Sequence, residues 1–245
     1  ASGEYLILQQ KLEGQNLQGF AKGTSDAKPF AVSFYVKGNA SATYVCELED
    51  TDNSRTVSKT FNVTTDWTRV ELSFPADTTG TFDDDNAASL HLQIWLHAGS
   101  TWSSGTLNSS AFASTTNANR AVGISSFFDS TDRTFFITGV QLEVGQNPTE
   151  FEHEPFERTL AKCQRYFQLT QPNFYHSLAP MIDGVADLRG YVKFPVTMRA
   201  TPTLTLDVGS GTITTNHNSI DGFNMVGTST SATHFLNDYT ADAEL

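Results

Sequence analysis

Apolar and polar positions alternate with period two from the N-terminus to about residue 145, which is the pattern of strands buried on one side. Between residues 29 and 37, Phe30, Val32, Phe34 and Val36 form one row, while Ala31, Ser33, Tyr35 and Lys37 form the other. Between 67 and 74, Val70, Leu72 and Phe74 alternate with Trp67, Arg69, Glu71 and Ser73. The clearest strand has Leu90, Leu92, Ile94 and Leu96 as its inward row and Ser89, His91, Gln93, Trp95 and His97 as its outward row. Weaker strands surround Leu6, Val45, Val57 to Val63, Val122 and Phe136 to Val144, and clusters of Gly, Asn, Asp and Ser separate them. Strands buried on one side are mostly antiparallel. Eight or so of them imply two sheets face to face, a jelly roll or a close relative.

The stretch from Gly99 to Asn119 is a loop rich in Ser, Thr, Asn and Gly that carries Trp102 and Phe112. Loops of that length in a compact domain are usually functional or mobile. After Val144 the pattern changes. Gly145-Gln146-Asn147-Pro148 reads as a turn, and Pro155 suits the first turn of a helix. Phe156, Leu160, Cys163 and Phe167 then recur at helical spacing, with Glu157, Arg158, Lys162 and Arg165 on other faces. This short helix is expected to end before Pro172 and to pack on the sandwich or separate it from the C-terminal part of the chain. Alternation returns with Val192, Phe194 and Val196, then Leu204, Leu206 and Val208, and Pro195 and Pro202 confine those strands to edges or ends. The expected organisation is all-β: an antiparallel jelly-roll sandwich over 1–152, a connecting amphipathic helix over 153–170, and a small C-terminal β-domain over 171–245. A unit that small is expected to take part of its core from a partner subunit.

Composition narrows the function. Charged residues make up 17% of the chain and the formal net charge is −12. There is no basic surplus to release counterions from a nucleic acid, or to bind anionic lipid. No apolar run reaches the length of a membrane span. Two cysteines, Cys46 and Cys163, are too few for a disulfide framework and read as small buried hydrophobes. The chain begins Ala1-Ser2-Gly3 and enters a strand by Leu6, which suggests the continuation of a longer polypeptide.

The candidate chemistry lies on the outward rows. Sugars present C–H faces that stack on aromatic rings and hydroxyls that need polar neighbours. Trp95 with His91, Gln93 and His97 has that composition, as do Tyr35, Trp67 and Arg69 on other strands, and Trp102 is placed to close over one end. The alternative reading is that Trp95 and Trp67 are covered by the helix, the loop or a neighbouring subunit, because exposed aromatics also mark protein interfaces. No metal site is expected. His91 and His97 are about 20 Å apart along one strand, and the remaining histidines lack ligand spacing. The acidic runs Glu49-Asp50-Thr51-Asp52-Asn53 and Asp83-Asp84-Asp85-Asn86 lack the glycine of a calcium loop and read as solvated turns. No hydrolase elbow, phosphate loop or zinc-protease motif is present, so no catalytic residue is proposed.

Two resemblances extend this reading. Lys22-Gly23, the run Phe30 to Gly38, Trp67-Thr68-Arg69-Val70 and Phe135 to Glu143 resemble the jelly-roll carbohydrate-binding modules appended to glycoside hydrolases. Those modules usually place paired aspartates of a structural calcium site where this chain has Thr138 and Gly139, so no cofactor is expected. The segments Gln9-Gln10-Lys11-Leu12-Glu13-Gly14, Gly139 to Gly145 with Thr149-Glu150-Phe151-Glu152-His153, Cys163 to Phe167, and Phe194 to Pro202 resemble phage tail-fibre and receptor-binding proteins. The family's pattern also ends close to Leu245. That resemblance implies a virion protein, homotrimeric, with other virion proteins as partners, attaching the particle to host-surface glycan. A head or tail decoration protein and a glycan-degrading depolymerase are the alternatives.

Overall fold

The alternating rows fold as strands, and their apolar sides face one another. In the computed structural model, β1 (Tyr5–Glu13), β2 (Phe30–Gly38), β3 (Ala42–Asp50), β4 (Arg55–Val63), β5 (Thr68–Phe74), β6 (Ala88–Ala98), β7 (Ala113–Ser114) and β8 (Phe135–Val144) make a jelly-roll β-sandwich. One sheet is five-stranded, in the order β1-β6-β3-β4-β7, and the other is three-stranded, β5-β2-β8. All pairings in both sheets are antiparallel. The structure describes residues 1–170, 176, 177, 179, 180, 187–210, 212–228 and 235–244.

The inner rows fill the space between the sheets. Phe30, Val32, Phe34 and Val36 of β2 meet Tyr44, Cys46 and Leu48 of β3 and Leu90, Leu92, Ile94 and Leu96 of β6 in one continuous core. Phe20 stacks on Phe30 at 4.0 Å and Phe34 meets Phe61 edge-on at 5.0 Å, geometries that aromatic quadrupoles favour. Each fully buried chain of this size contributes about 1.5–3 kcal/mol.

Several sequence-based expectations fail locally, each for a visible reason. Strict alternation along the last strand of the sandwich puts Val140, Leu142 and Val144 all inward. Only Leu142 packs on the core, whereas Val140 and Val144 are exposed. Gly139 has φ +60° at a register break, where Ser33 pairs with Gln141 but Tyr35 pairs with Thr138. The bulge changes the parity of the strand, so Phe135 and Ile137 precede it inward and Leu142 follows. Val122 lies in a turn rather than a strand, and the short β7 forms within the expected loop.

Residues 1–152 and His153–Leu245 are two separate compact units. The second opens with α2 (Phe156–Gln164), the first helix, α1 (Ser100–Ser103), being in the long loop of the sandwich. No residue of α2 is buried, and Cys163 is exposed, not the buried hydrophobe expected. Cys46 is buried, and burial followed by the neighbouring Glu47 charge pushes its thiol well above its ordinary range.

The second unit continues with β9 (Phe167–Leu169), β10 (His176–Ser177), β11 (Ala179–Pro180), β12 (Asp187–Lys193), β13 (Thr203–Ser210), β14 (Ile213–Ser219), β15 (Gly222–Thr228) and β16 (Phe235–Asp242). They form two four-stranded sheets, and Val192, Phe194, Phe223, Met225, Leu236 and Tyr239 make their shared core. β12 ends before Pro195 and β13 begins after Pro202, since proline cannot donate to a ladder.

Candidate functional site

The outer face of the five-stranded sheet is built in lateral tiers, because β6 is paired on both sides. Ile7, Trp95 and Val45 stand in one tier, Gln9, Gln93 and Glu47 in the next, and Lys11, His91 and Glu49 in the third. The apolar tier is covered by the long loop. Val45, Trp95 and Ala121 are buried there, with Ile7, Trp102 and Leu107 packed against them.

Backbone hydrogen bonds attach the loop to the sheet and to itself. Ser58 donates to the carbonyl of Asn108 at 2.7 Å, Ser125 to that of Thr43 at 2.7 Å, and Ala121 to that of Trp102 at 2.9 Å. The segment expected to be functional or mobile is therefore an ordered cover. Trp95, expected as an outward sugar platform, is only 1% exposed beneath it.

At the edge of this cover is a cleft of about 230 Å³. β1 contributes Tyr5, Ile7 and Gln9, and β3 contributes Glu49. β6 contributes His91, Gln93 and Trp95, while α1 contributes Trp102 and the loop Arg120. Three rings gather at one end. Tyr5 meets Trp102 edge-on at 5.5 Å, Trp102 lies 5.7 Å from Trp95, and Tyr5 lies 6.1 Å from Trp95. Tyr5 stays 58% exposed, so one aromatic surface is presented to solvent. The Arg120 guanidinium lies 5.2 Å from the Trp95 ring and 5.8 Å from the Trp102 ring.

The floor is a polar network centred on Arg120. Its Nε and Nη2 donate to Glu47 Oε1 at 2.9 and 2.5 Å. Nη2 also donates to Gln93 Oε1 at 3.2 Å and lies 2.9 Å from Glu49 Oε2. Gln93 Nε2 donates to Glu49 Oε2 at 2.6 Å, and His91 Nδ1 lies 3.4 Å from that same oxygen. Ser58 Oγ and Trp95 Nε1 complete the donors to Glu47.

Burial pushes the Glu47 carboxyl above the usual range, opposed by the Arg120 and Ser58 donors. Burial acts in the same sense on Glu49, but its bonds to His91 and Arg120 outweigh it and hold that carboxyl below the usual range. Arg120 is the mirror case: burial would lower its affinity for the proton, and the two carboxylates raise it instead.

The eight sequence-predicted residues thus divide between two faces. Trp95, Trp102, His91 and Gln93 line the cleft. His97 is on the same sheet outside the lining, with its Nδ1 2.8 Å from Ser126 Oγ and its ring against Phe128. Tyr35 and Arg69 belong to the opposite, three-stranded sheet and Trp67 directly precedes its β5, so no single surface unites Trp95 with Trp67.

There the tether after β8 folds back over the strands. Arg69 donates to the carbonyl of Thr149 and pairs with Glu71 at 2.7 Å, and Gln141 Oε1 accepts from the amide of Glu152 at 2.9 Å. Arg69 thereby fastens the tether to the strand. Trp67 is 51% exposed beside Phe136, 52% exposed, at 6.5 Å. Sequence reading missed Tyr5, Ile7, Gln9, Glu49 and Arg120; the first four alternate with Leu6, Leu12 and Leu48, which pack on the core, a signal the strands around Leu6 and Val45 carried, but nothing in the loop singled out Arg120.

A second ionic cluster replaces the solvated turn expected at Glu49 to Asn53. Lys22 is fully buried, and its Nζ lies 2.5 Å from Asp50 Oδ2, 3.2 Å from Asp77 Oδ2, 2.9 Å from the Thr79 carbonyl and 2.7 Å from the Gly80 carbonyl. Arg55 adds a bidentate pair to Asp77 at 2.7 and 3.0 Å. The calcium site of carbohydrate-binding modules does not fit here. Thr138 and Gly139 bring no carboxylate, and among the described residues no His, Cys, Asp and Glu cluster is arranged to hold a metal.

No family model matches the chain, and no curated protein matches it. Among solved structures it is similar to native recombinant discoidin II and to wild-type discoidin II, both of Dictyostelium discoideum. Identity is 14% in each case, 89% of this chain is covered with 74% and 73% of those chains, and the TM-score is 0.24. At that score the likeness supports no inference about the site.

Proposed function

We propose that the chain is a non-enzymatic glycan-binding component of a phage particle, a tail-fibre or receptor-binding protein that attaches the virion to host-surface glycan. The observation that carries the binding part is the cleft itself: a partly exposed ring cluster of Tyr5 and Trp102 beside a floor of amide, imidazole and carboxylate groups. Aromatic edges receive the C–H faces of a sugar, and the polar floor receives its hydroxyls. The particle part is supported by the tail-fibre-like segments spread from Gln9 to Pro202. Trimer assembly is supported by Phe156, Leu160 and Cys163, spaced 4-3 as in a coiled-coil seam on the unburied α2; Phe167, expected on the same stripe, opens β9 instead.

A depolymerase is disfavoured by geometry. Glu47 and Glu49 grip the same Arg120 nitrogen, and Glu47 is fully buried outside the cleft lining, so Glu49 has no carboxylate partner across the cleft among the lining residues.

The test is binding to a broad glycan array and to host cells, with Tyr5→Ala compared against the parent. Tyr5 is exposed, so the variant should fold normally while its best ligand binds about tenfold more weakly. A parent chain that binds no glycan on the array and does not adsorb to host cells would remove the reading.

One observation favours a second reading. The exposed Trp67–Phe136 pair lies on the side of the opposite sheet and suits contact with another virion subunit in a structural or decoration protein.

A further inference from the structure

We infer that the cleft selects an uncharged sugar residue and rejects acidic ones such as uronates and sialic acids, a specificity that rests on the glycan reading above. A lone arginine beside aromatic rings would suit a sugar carboxylate, since its planar fork binds such groups in bidentate fashion. Arg120 is not available for that. Its Nε and Nη2 are held on Glu47, and Nη2 is shared further with Gln93 and Glu49.

Two carboxylates face one guanidinium in this floor, so the charge of Arg120 is already matched before any ligand arrives. An acidic sugar would bring another negative charge and would have to displace Glu49 from Arg120. Like charges brought together in a partly desolvated site repel and oppose binding. Lys11 stands in the His91–Glu49 tier, opposite His91, and is not part of the lining.

What the cleft offers a ligand is neutral or acceptor chemistry: the Gln9 amide, the Tyr5 hydroxyl, the His91 imidazole and the lone pairs of Glu49. These match sugar hydroxyls and an N-acetyl amide. At about 230 Å³ the space is below the range of drug-sized sites, roughly 300–1,000 Å³, and fits one sugar ring rather than a long chain.

The experiment presents the full chain with an array of neutral and acidic glycans, then measures the best neutral ligand against its C6-oxidised uronate by titration calorimetry. Neutral glycans should supply the hits, and the matched uronate should bind at least about tenfold more weakly. Glu49→Gln removes one negative charge while keeping the side chain's size. It should narrow that ratio severalfold, with an unchanged thermal melt confirming the fold. Acidic glycans binding as well as neutral ones would overturn the specificity and leave the glycan site standing. Absence of binding by every array member would overturn both.

Discussion

Two buried cations, Lys22 and Arg120, do different work in the same sandwich. Lys22 is sealed: aspartates and backbone carbonyls surround its ammonium, and the Phe82 and Phe112 rings lie 5.2 and 5.7 Å away. Arg120 is equally well paired, but it forms the floor of a cleft that opens to solvent beside Tyr5. A charge closed on all sides ties loops together, here the segments around Lys22, Asp50 and Asp77. A charge closed on all but one side also fixes the polarity of whatever enters. The difference lies in the neighbours. Lys22 is held by two aspartates and two fixed backbone oxygens, whereas Arg120 is held by side chains of β3 and β6, two of which, Glu49 and Gln93, also line the cleft.

The strongest way to break this comparison is Lys22→Met. Removing the ammonium leaves Asp50 buried without its cation, and breaking a buried pair in this way costs about 3–5 kcal/mol. Urea unfolding should show that loss. At a temperature where the variant is still folded, glycan affinity should match the parent's. A variant that loses binding while keeping stability would show that the two cations are not separable.

Acid tests the same cage more gently. Burial opposes the charge on Asp77, but Arg55, the Thr79 amide and Lys22 outweigh it and hold its carboxyl below the usual range. A group whose folded value is depressed contributes stability above its unfolded value, about 3.9, and that contribution is lost as pH falls through the folded value. Unfolding midpoints should therefore fall on acidification below about pH 4, and Asp77→Asn should flatten that part of the curve. An Asp77→Asn profile parallel to the parent's would refute the assignment.

The difference between the cations also explains what was legible in the sequence. The inner rows were, because Leu90, Leu92, Ile94 and Leu96 can satisfy period two in only one way against a core. The row His91, Gln93, Trp95 came with them. The loop that buries Trp95 did not, because its attachments are backbone bonds from residues such as Asn108 and Ala121, which carry no periodic signal. Lys22 and Arg120 both sit in irregular segments, and their partners are 28 and 73 residues away in sequence. Pairings of that range depend on where the strands bring loops together, which no local pattern encodes.

A change on the three-stranded sheet touches neither cation and gives a smaller effect. Alanine at Gly139 would keep φ near +60° and place its Cβ 3.3 Å from the Tyr35 ring. Forcing an L-residue into that conformation costs about 1–2 kcal/mol. Gly139→Ala should lower the unfolding midpoint by that amount and leave binding in the cleft unaltered. A neutral outcome would mean the bulge relaxes to a regular ladder, which would return Val140 to the inward row.

The smallest effect on the folded chain is expected at Trp67 and Phe136, and it separates the two readings of function. Their rings are about half exposed and lean on each other at 6.5 Å, with Arg69 and Gln141 already engaged by the tether. Exposed substitutions of this kind usually stay within about 0.5 kcal/mol. Trp67→Ser with Phe136→Ser should therefore melt like the parent and bind the same glycans with the same affinity, because the cleft is on the other sheet. If this face docks on another virion subunit, the double variant should be under-represented in assembled particles when it competes with the parent chain for incorporation. Equal incorporation would leave the pair as surface aromatics without a partner. Loss of glycan binding would show that the ligand reaches both sheets, and the cleft would no longer be the whole site.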